Sequence, residues 1–326
     1  MLTLTERIMK LVDRLLYFVF YPIMRHIVVL SAKDAADVLS KTRHLRREGF
    51  LTSFDVMVED VGDSKLIGLL QKFHSELISL MEKGDYGNIV IKPTSLGLDA
   101  SDPPLRTSDE RFVRELWALL LSISLRNQGD QGETVELEID AESTQTIERA
   151  FRVIAGITSE SPELRYLLRI AVPMHLKELP NLCRTYGLLE HPIRIVKGAG
   201  VYREDPNVLV DVKTVERRYK KYFIDCLERK KRPYIATMHD EKLLRRVLQS
   251  AHDHGIEKNE FVIQMLYGLW TGLGRRLLDE GYTVCVYVPV VLPWCKGASG
   301  GYIQRRISIF RTLFWKWLTT RTRNHY

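Results

Sequence analysis

Short apolar runs alternate along this chain with longer stretches in which apolar residues recur every three to four positions. An unbroken β-branched run suits a strand buried on both faces, and three-to-four spacing suits a helix with one buried face. This rhythm predicts strands near residues 51–57, 88–92, 134–140, 167–173, 192–197, 233–238, 260–266 and 283–289. Ile89-Val90-Ile91 and Ile193-Arg194-Ile195-Val196 are the most strongly β-branched. Phe112, Leu116, Ala118, Leu119 and Ile123 fall near one face of a helix predicted over 109–126, with Ser108 as its expected cap. Ile147, Ala150, Phe151 and Ile154 do the same over 142–155, and a helix over 266–280 is expected to close at Gly281. Strand then helix, eight times over, predicts an α/β chain folded as a (β/α)8 TIM-like barrel. An open doubly wound sheet is the rival, but it needs fewer repeats.

The two ends stand apart from that rhythm. Residues 1–33 read as an accessory helical segment, 34–310 as the barrel unit with a last helix, and 311–326 as a basic, aromatic tail. The apolar stretch at 15–23 is shorter than the ~20 residues that span a bilayer, and Glu6 and Asp13 do not suit a transit peptide. It reads either as a helix docked on the protein or as one lying on a membrane surface. The tail, with Phe314, Trp315, Lys316 and Trp317, leaves the same alternatives open.

Composition changes the picture only slightly. With 45% hydrophobic and 27% charged residues, the chain has ample material for a core. A net charge of +7 permits attraction to anionic surfaces without requiring it, and no nucleic-acid partner is expected. Cys183, Cys226, Cys285 and Cys295 are irregularly spaced, which argues against a disulfide scaffold or zinc site and for a reducing compartment. His252 and His254 flank Asp253 with no further ligand at recognisable spacing, so they read as helix-end residues and not as metal ligands.

In a parallel barrel, reactive groups gather at the C-terminal ends of the strands. Lys92, Asp140, Arg194, Lys197, His239 and Tyr287 are all predicted at or near such ends. A structural salt-bridge network could use the same residue types, so spacing leaves both readings open. Arg194 and Lys197 share a strand otherwise made of Ile and Val, where buried charge requires a partner. That partner is either an acceptor-lined cofactor such as a flavin or a carboxylate such as Asp140. Further on, Tyr302 stands three and four positions before Arg305 and Arg306, on one face of the last predicted helix. Two guanidiniums there suit a small carboxylate.

Four segments in this order resemble the motifs of the proline dehydrogenase family. They are Ile89-Val90-Ile91-Lys92-Pro93-Thr94-Ser95, Arg194-Ile195-Val196-Lys197-Gly198-Ala199, Val286-Tyr287-Val288-Pro289 and Tyr302-Ile303-Gln304-Arg305-Arg306. The resemblance spans residues 34–310. It implies FAD-dependent oxidation of L-proline to 1-pyrroline-5-carboxylate, by hydride transfer from the ring carbon beside nitrogen to the flavin, with electrons passed on to a quinone. It implies that Lys92, Arg305 and Arg306 clamp the substrate carboxylate, that Asp140 organises the site, and that Tyr287 and Tyr302 wall the pocket. FAD is then expected against Arg194, Val196, Lys197, Gly198 and Ala199, with Thr237, His239 and Gln264 added from two further motifs. The expected location is cytoplasmic, with or without peripheral contact at the inner face of a membrane.

Several positions depart from the family pattern. Ile309 stands where a glutamate usually orients an arginine, and Gly200 follows Ala199 where a tyrosine is usual. Ala236-Thr237-Met238-His239-Asp240 is one residue longer than its counterpart, and the motif from Glu260 to Gly268 is two longer. An extra residue inside a strand turns every later side chain to the opposite face unless a bulge absorbs it. The alternatives to proline oxidation are therefore another cyclic or N-substituted amino acid as substrate, or a non-catalytic barrel acting as a binding or scaffold protein.

Overall fold

The computed structural model describes residues 29–59, 61–81, 87–99, 106–128, 134–198, 205–237, 240–269 and 271–295. Eight parallel strands close into a ring: β2 (Leu51–Val56), β3 (Gly87–Ile91), β4 (Glu136–Ile139), β5 (Leu168–Pro173), β6 (Ile193–Val196), β7 (Tyr234–Ala236), β8 (Val262–Leu266) and β9 (Thr283–Val291). Each pairs with its sequence neighbour, and β9 completes the ring by pairing with both β8 and β2. Strand after strand is followed by a helix, so the fold is the expected (β/α)8 barrel.

A ninth strand, β1 (Leu30–Ser31), lies within the stretch predicted to be helical and accessory. It pairs with Val290 and Val291 at the far end of β9. The pairing of β8 with β9 stops at Tyr287, which leaves the last turn of β9 with an open edge. That edge is a row of unpaired backbone groups, and β1 satisfies part of it. This is why β9 runs two residues past its predicted end.

The helices are α1 (Ala35–Arg47), α2 (Ser64–Leu80), α3 (Arg106–Asn127), α4 (Thr144–Glu160), α5 (Leu179–Thr185), α6 (Val212–Glu228), α7 (Glu241–Asp253) and α8 (Thr271–Asp279). Aspartates start several of them: Asp63 accepts from Lys65 N, Asp211 from Thr214 N and Asp240 from Leu243 N. Two predicted boundaries are corrected. Because α3 begins at Arg106, Ser108 sits inside the helix, where its hydroxyl accepts from Arg149 at 2.7 Å instead of capping. The helix expected from 266 begins at Thr271, because Leu266 is taken up in β8 by its register with Tyr287. Gly281, just past α8, has the positive φ of 89° that a glycine stop supplies.

The main apolar core lies between the strands and the helices, and a small second cluster of Tyr234, Val262 and Cys285 with Leu51 lies on inward positions of the ring. Outward-facing Phe54, Ile89, Ile91, Leu137, Ile139, Ile170, Val172, Ile193, Ile195, Ile263 and Val288 meet helix residues such as Leu70, Leu116, Phe151, Tyr219 and Leu243. Each fully buried side chain of this kind contributes about 1.5–3 kcal/mol relative to exposure. With a period of two, the alternate positions point inward. They include Ser53, Asp55, Asn88, Glu136, Glu138, Arg169, Arg194, Gln264 and Tyr287, so polar and charged groups share the interior with apolar ones such as Val90, Ala171, Val262 and Cys285, where barrels of this class usually carry branched aliphatics.

Candidate active site

Charges taken out of water need partners, and the ring interior supplies them in levels. At the N-terminal end of the strands, Arg169 donates to Glu136 at 2.8 Å and stacks over the Tyr234 ring at 3.8 Å. That pair closes the bottom of the barrel. One level up, Arg194 on β6 lies at 3.1 Å from Glu138 of β4 and donates to the Gln264 carbonyl of β8 at 3.1 Å. Its other terminal nitrogen donates to Asp140, just past β4. Glu138 in turn accepts from the Asn88 amide at 3.0 Å. Burial opposes charge on Arg194, but Glu138 and Asp140 outweigh it and hold the guanidinium firmly protonated.

At the C-terminal mouth, Lys92 is buried with both its amine and its neighbours out of water. Its Nζ donates to the two oxygens of Asp55, on β2, at 2.5 and 2.6 Å. Tyr287 on β9 donates to Asp55 at 2.7 Å and reaches Asp140 at 3.3 Å, and its ring lies 5.3 Å from the Arg194 guanidinium. Burial would strip Lys92 of its proton, but Asp55, Glu59 and Asp140 keep it charged. Lys92, Asp55, Tyr287, Asp140, Arg194, Glu138 and Gln264 are therefore one continuous hydrogen-bonded and ionic network across the ring.

Two further contacts sit at the rim. Lys197, past the end of β6, pairs with Asp240 at the start of α7. Gly198 follows with φ of 78°, and a Cβ there would overlap the His175 imidazole, so only glycine fits the close approach of these two connections. Val196 is half-buried, whereas Thr237, just past β7, and Gln264, in the middle of β8, are buried. The longer motif around Thr237 leaves the strand undisturbed, because β7 ends at Ala236 and Asp240 already caps α7. The motif two residues longer keeps its parity, and Gln264 still points into the ring. Ala199, His239, Tyr302, Arg305 and Arg306 lie outside the described residues.

The network brings together Lys92, Asp140, Arg194, Gln264 and Tyr287 from the sequence reading and adds Asp55 and Glu138, which it missed, as it did Glu142, which lies outside the network. A signal for the first two was present. Ser53 and Asp55 alternate with Phe54 and Val56, and Glu136 and Glu138 alternate with Leu137 and Ile139, a polar-inward pattern that a barrel filled with aliphatics would not show.

Glu142, in the connection after β4, accepts from Thr94 N at 2.9 Å and from its hydroxyl at 2.6 Å. Burial pushes its pKa up from 4.5 to about 8, against the pull of Thr94 and Lys92 and with help from Glu59. A carboxyl that binds its proton more tightly in the folded state favours folding at low pH. Its contribution is full below about pH 4.5 and is lost as pH rises through about 8. Stability measured by urea unfolding is expected to fall over that window by up to the order of 4 kcal/mol, with the slope much reduced in Glu142→Gln. An unchanged slope in that variant would show that Glu142 titrates normally.

The donor set fits a flavin along the ends of β6 to β8. Arg194 keeps its Nε buried with no hydrogen-bond partner among the described residues, and Lys197 past the end of β6 and Thr237 past the end of the paired strand β7 stand at adjacent strand ends. A ring edged with acceptors is complementary to such a row. Among the described residues no cluster of three metal-ligating side chains is found, and no helix is long and apolar enough to cross a membrane.

Comparison with known proteins places the fold and site in context. The sequence profile of the family described as Proline dehydrogenase matches residues 38–293. Proline dehydrogenase 2 of Bacillus subtilis (strain 168) is 24% identical over 282 residues, covering 86% of this chain and 84% of its own. Proline dehydrogenase of Deinococcus radiodurans is 37% identical over 117 residues, covering 36% of this chain and 35% of its own. Among solved structures, proline utilization A from Bdellovibrio bacteriovorus, inactivated by N-propargylglycine, superposes with a TM-score of 0.69 at 18% identity over 87% of this chain. That of Corynebacterium freiburgense gives 0.69 at 17% identity over 92%. These two proteins are longer, and the chain spans 32% and 33% of their lengths.

Proposed function

This chain belongs to the proline dehydrogenase family of oxidoreductases, and from that we propose that it oxidises L-proline to 1-pyrroline-5-carboxylate with FAD as its cofactor. The observation that carries this reading is the charged network at the barrel mouth, in which Lys92 and Arg194 are each buried, protonated and fixed by carboxylates. Bound along Arg194, Val196, Lys197, Gly198, Ala199, Thr237, His239 and Gln264, FAD would supply the acceptor for the hydride, which carries both electrons of the oxidation.

The remaining work falls to positioning and charge. Lys92 presents a cation to the substrate carboxylate, and its bidentate hold on Asp55 keeps the amine from swinging. Arg305 and Arg306, on the last helix predicted from sequence, complete the proposed carboxylate clamp. Tyr287 is tied through its hydroxyl to Asp55 and Asp140, which sets its ring as one wall of the pocket, and Tyr302 forms the other. Asp140 holds Arg194 against the flavin-side donors, so that substrate and cofactor positions are coupled through one carboxylate. The electrons then pass to a quinone, and the aromatic, basic composition of 311–326 is compatible with contact at a membrane surface where such an acceptor resides.

The decisive measurement is the visible spectrum of protein purified with FAD, before and after L-proline. Yellow protein that bleaches on proline and reduces a quinone dye supports the reading. Colourless protein that stays inert with added FAD overturns it. Arg305→Met is expected to raise the KM for L-proline roughly tenfold or more while the flavin spectrum is unchanged. A KM within error of the parent would remove Arg305 from the clamp.

A further inference from the structure

We propose that Glu142 is a positioning residue for the substrate-binding lysine: it latches the turn that follows β3 and so fixes where Lys92 stands. The inference deepens the reading of Lys92 as a carboxylate-binding residue and rests on it.

The turn in question is Pro93–Leu96, a single tight helical turn entered directly from Lys92. Proline at its first position contributes no N–H, and the Lys92 carbonyl accepts from both Ser95 N at 2.9 Å and Ser95 Oγ at 2.7 Å. Those bonds make the backbone at Lys92 part of the turn. The turn itself is held from outside at Thr94. Its N–H and its hydroxyl both go to Glu142, one to each carboxyl oxygen, and its carbonyl accepts from Val61 N at 3.2 Å. Val61 belongs to the connection after β2, Thr94 to that after β3 and Glu142 to that after β4. The latch therefore clamps three successive strand ends, the same ends that carry Asp55, Lys92 and Asp140.

The chemistry suits fixation better than catalysis. Glu142 and Asp140 leave β4 two residues apart. Asp140 turns to Arg194 and Tyr287 in the ring, whereas Glu142 turns to the backbone of the neighbouring connection. All of Thr94, Ser95, Glu142 and Lys92 are buried, so water cannot replace a lost bond without a rearrangement. A side chain holding the turn two residues past Lys92 controls the direction of a long, otherwise flexible amine. Small displacements of a positioned group are costly in an active site.

The latch is tested with three variants of the full-length flavoprotein. Glu142→Gln keeps an acceptor for Thr94 N–H and offers an amide donor to the Thr94 oxygen, so it conserves the latch. Glu142→Ala removes it, and Thr94→Val removes only the hydroxyl bond at constant shape. Expected are a KM for L-proline raised about tenfold or more in Glu142→Ala and about threefold in Thr94→Val, with kcat changed less than KM in both, and near-parental values in Glu142→Gln. A merely structural role would lower the amount of folded enzyme and leave its KM alone. Hydrogen exchange reads the latch without turnover: amides 94–97 are expected to exchange at least about tenfold faster in Glu142→Ala than in Glu142→Gln, even should the parent prove inactive on proline. Loss of proline activity in the parent would thus overturn the substrate reading and leave the latch to be judged by exchange. Unchanged KM in Thr94→Val together with equal exchange in the two Glu142 variants would overturn the latch itself. If Glu142→Ala fails to fold, the KM of Thr94→Val and the exchange of that variant against the parent decide the matter.

Discussion

Arg194→Met is expected to lower the unfolding free energy by about 3–5 kcal/mol, the usual consequence of removing one member from a buried ionic group. Arg194 is the one cation at its level of the ring among the described residues, and it serves two carboxylates, Glu138 and Asp140. Methionine approximates its length but removes the cation paired with both acids, leaving Glu138 the charge of Arg169 and Asp140 that of Lys92. Burial already raises the pKa of Glu138, and the Arg194 charge is what pulls it back down. Without that charge Glu138 binds a proton more readily in the folded state. The loss must therefore be larger at pH 8 than at pH 5, because at the lower pH Glu138 can take up a proton and neutralise itself. Urea titrations of parent and variant at the two pH values check this. Equal losses at both would show that the acids do not depend on the guanidinium. Under the proposed function the variant also purifies without FAD, since the donor row of β6 to β8 loses its centre.

The second large effect is expected at Lys92. Lys92→Met strands Asp55, whose remaining partner among those described above is the Tyr287 hydroxyl at 2.7 Å. The expected destabilisation is again about 3–5 kcal/mol. The double variant Lys92→Met/Asp55→Asn removes both charges and should recover most of that loss, because a neutral amide can keep the hydrogen bond from Tyr287. Proline turnover should not recover with it: kcat/KM is expected to stay about a hundredfold or more below the parent in both, since the carboxylate-binding cation is missing from each. This pair of measurements separates the structural from the binding role of Lys92. Recovery of turnover in the double variant would mean that Lys92 acts only as the counter-ion of Asp55.

How far the site was readable from the chain can be judged residue by residue. Lys92, Arg194 and Tyr287 were legible because each ends or interrupts a β-branched run, and Asp140 because it ends a predicted strand; in a parallel barrel a strand end is a place in three dimensions as well as in sequence. Gln264 was legible only through the motif around it. Asp55 and Glu138 were overlooked although the alternation Ser53-Phe54-Asp55-Val56 and Glu136-Leu137-Glu138-Ile139 carried them. Glu142 had no comparable signal. It lies in a loop, and its importance depends on where the turn at Thr94 stands, 48 positions away. Arg305, Arg306 and Tyr302 remain expectations drawn from motif and helix spacing.

The sequence by itself determined the alternation of strand and helix, the parity of the inward positions and the presence of buried cations at strand ends, because these follow from local periodicity and from the cost of hiding charge in an apolar run. Only the tertiary structure decided which acid meets which base. Lys92 went to Asp55 and not to a substrate-sized gap alone, Arg194 went to Asp140, Glu138 and Gln264 together, and Leu30 found the free edge of β9. Those choices depend on the stagger of neighbouring strands and on closure of the ring, where a shift of one residue along a strand reverses the face a side chain presents. No local pattern contains that register; it is set when the last strand meets the first.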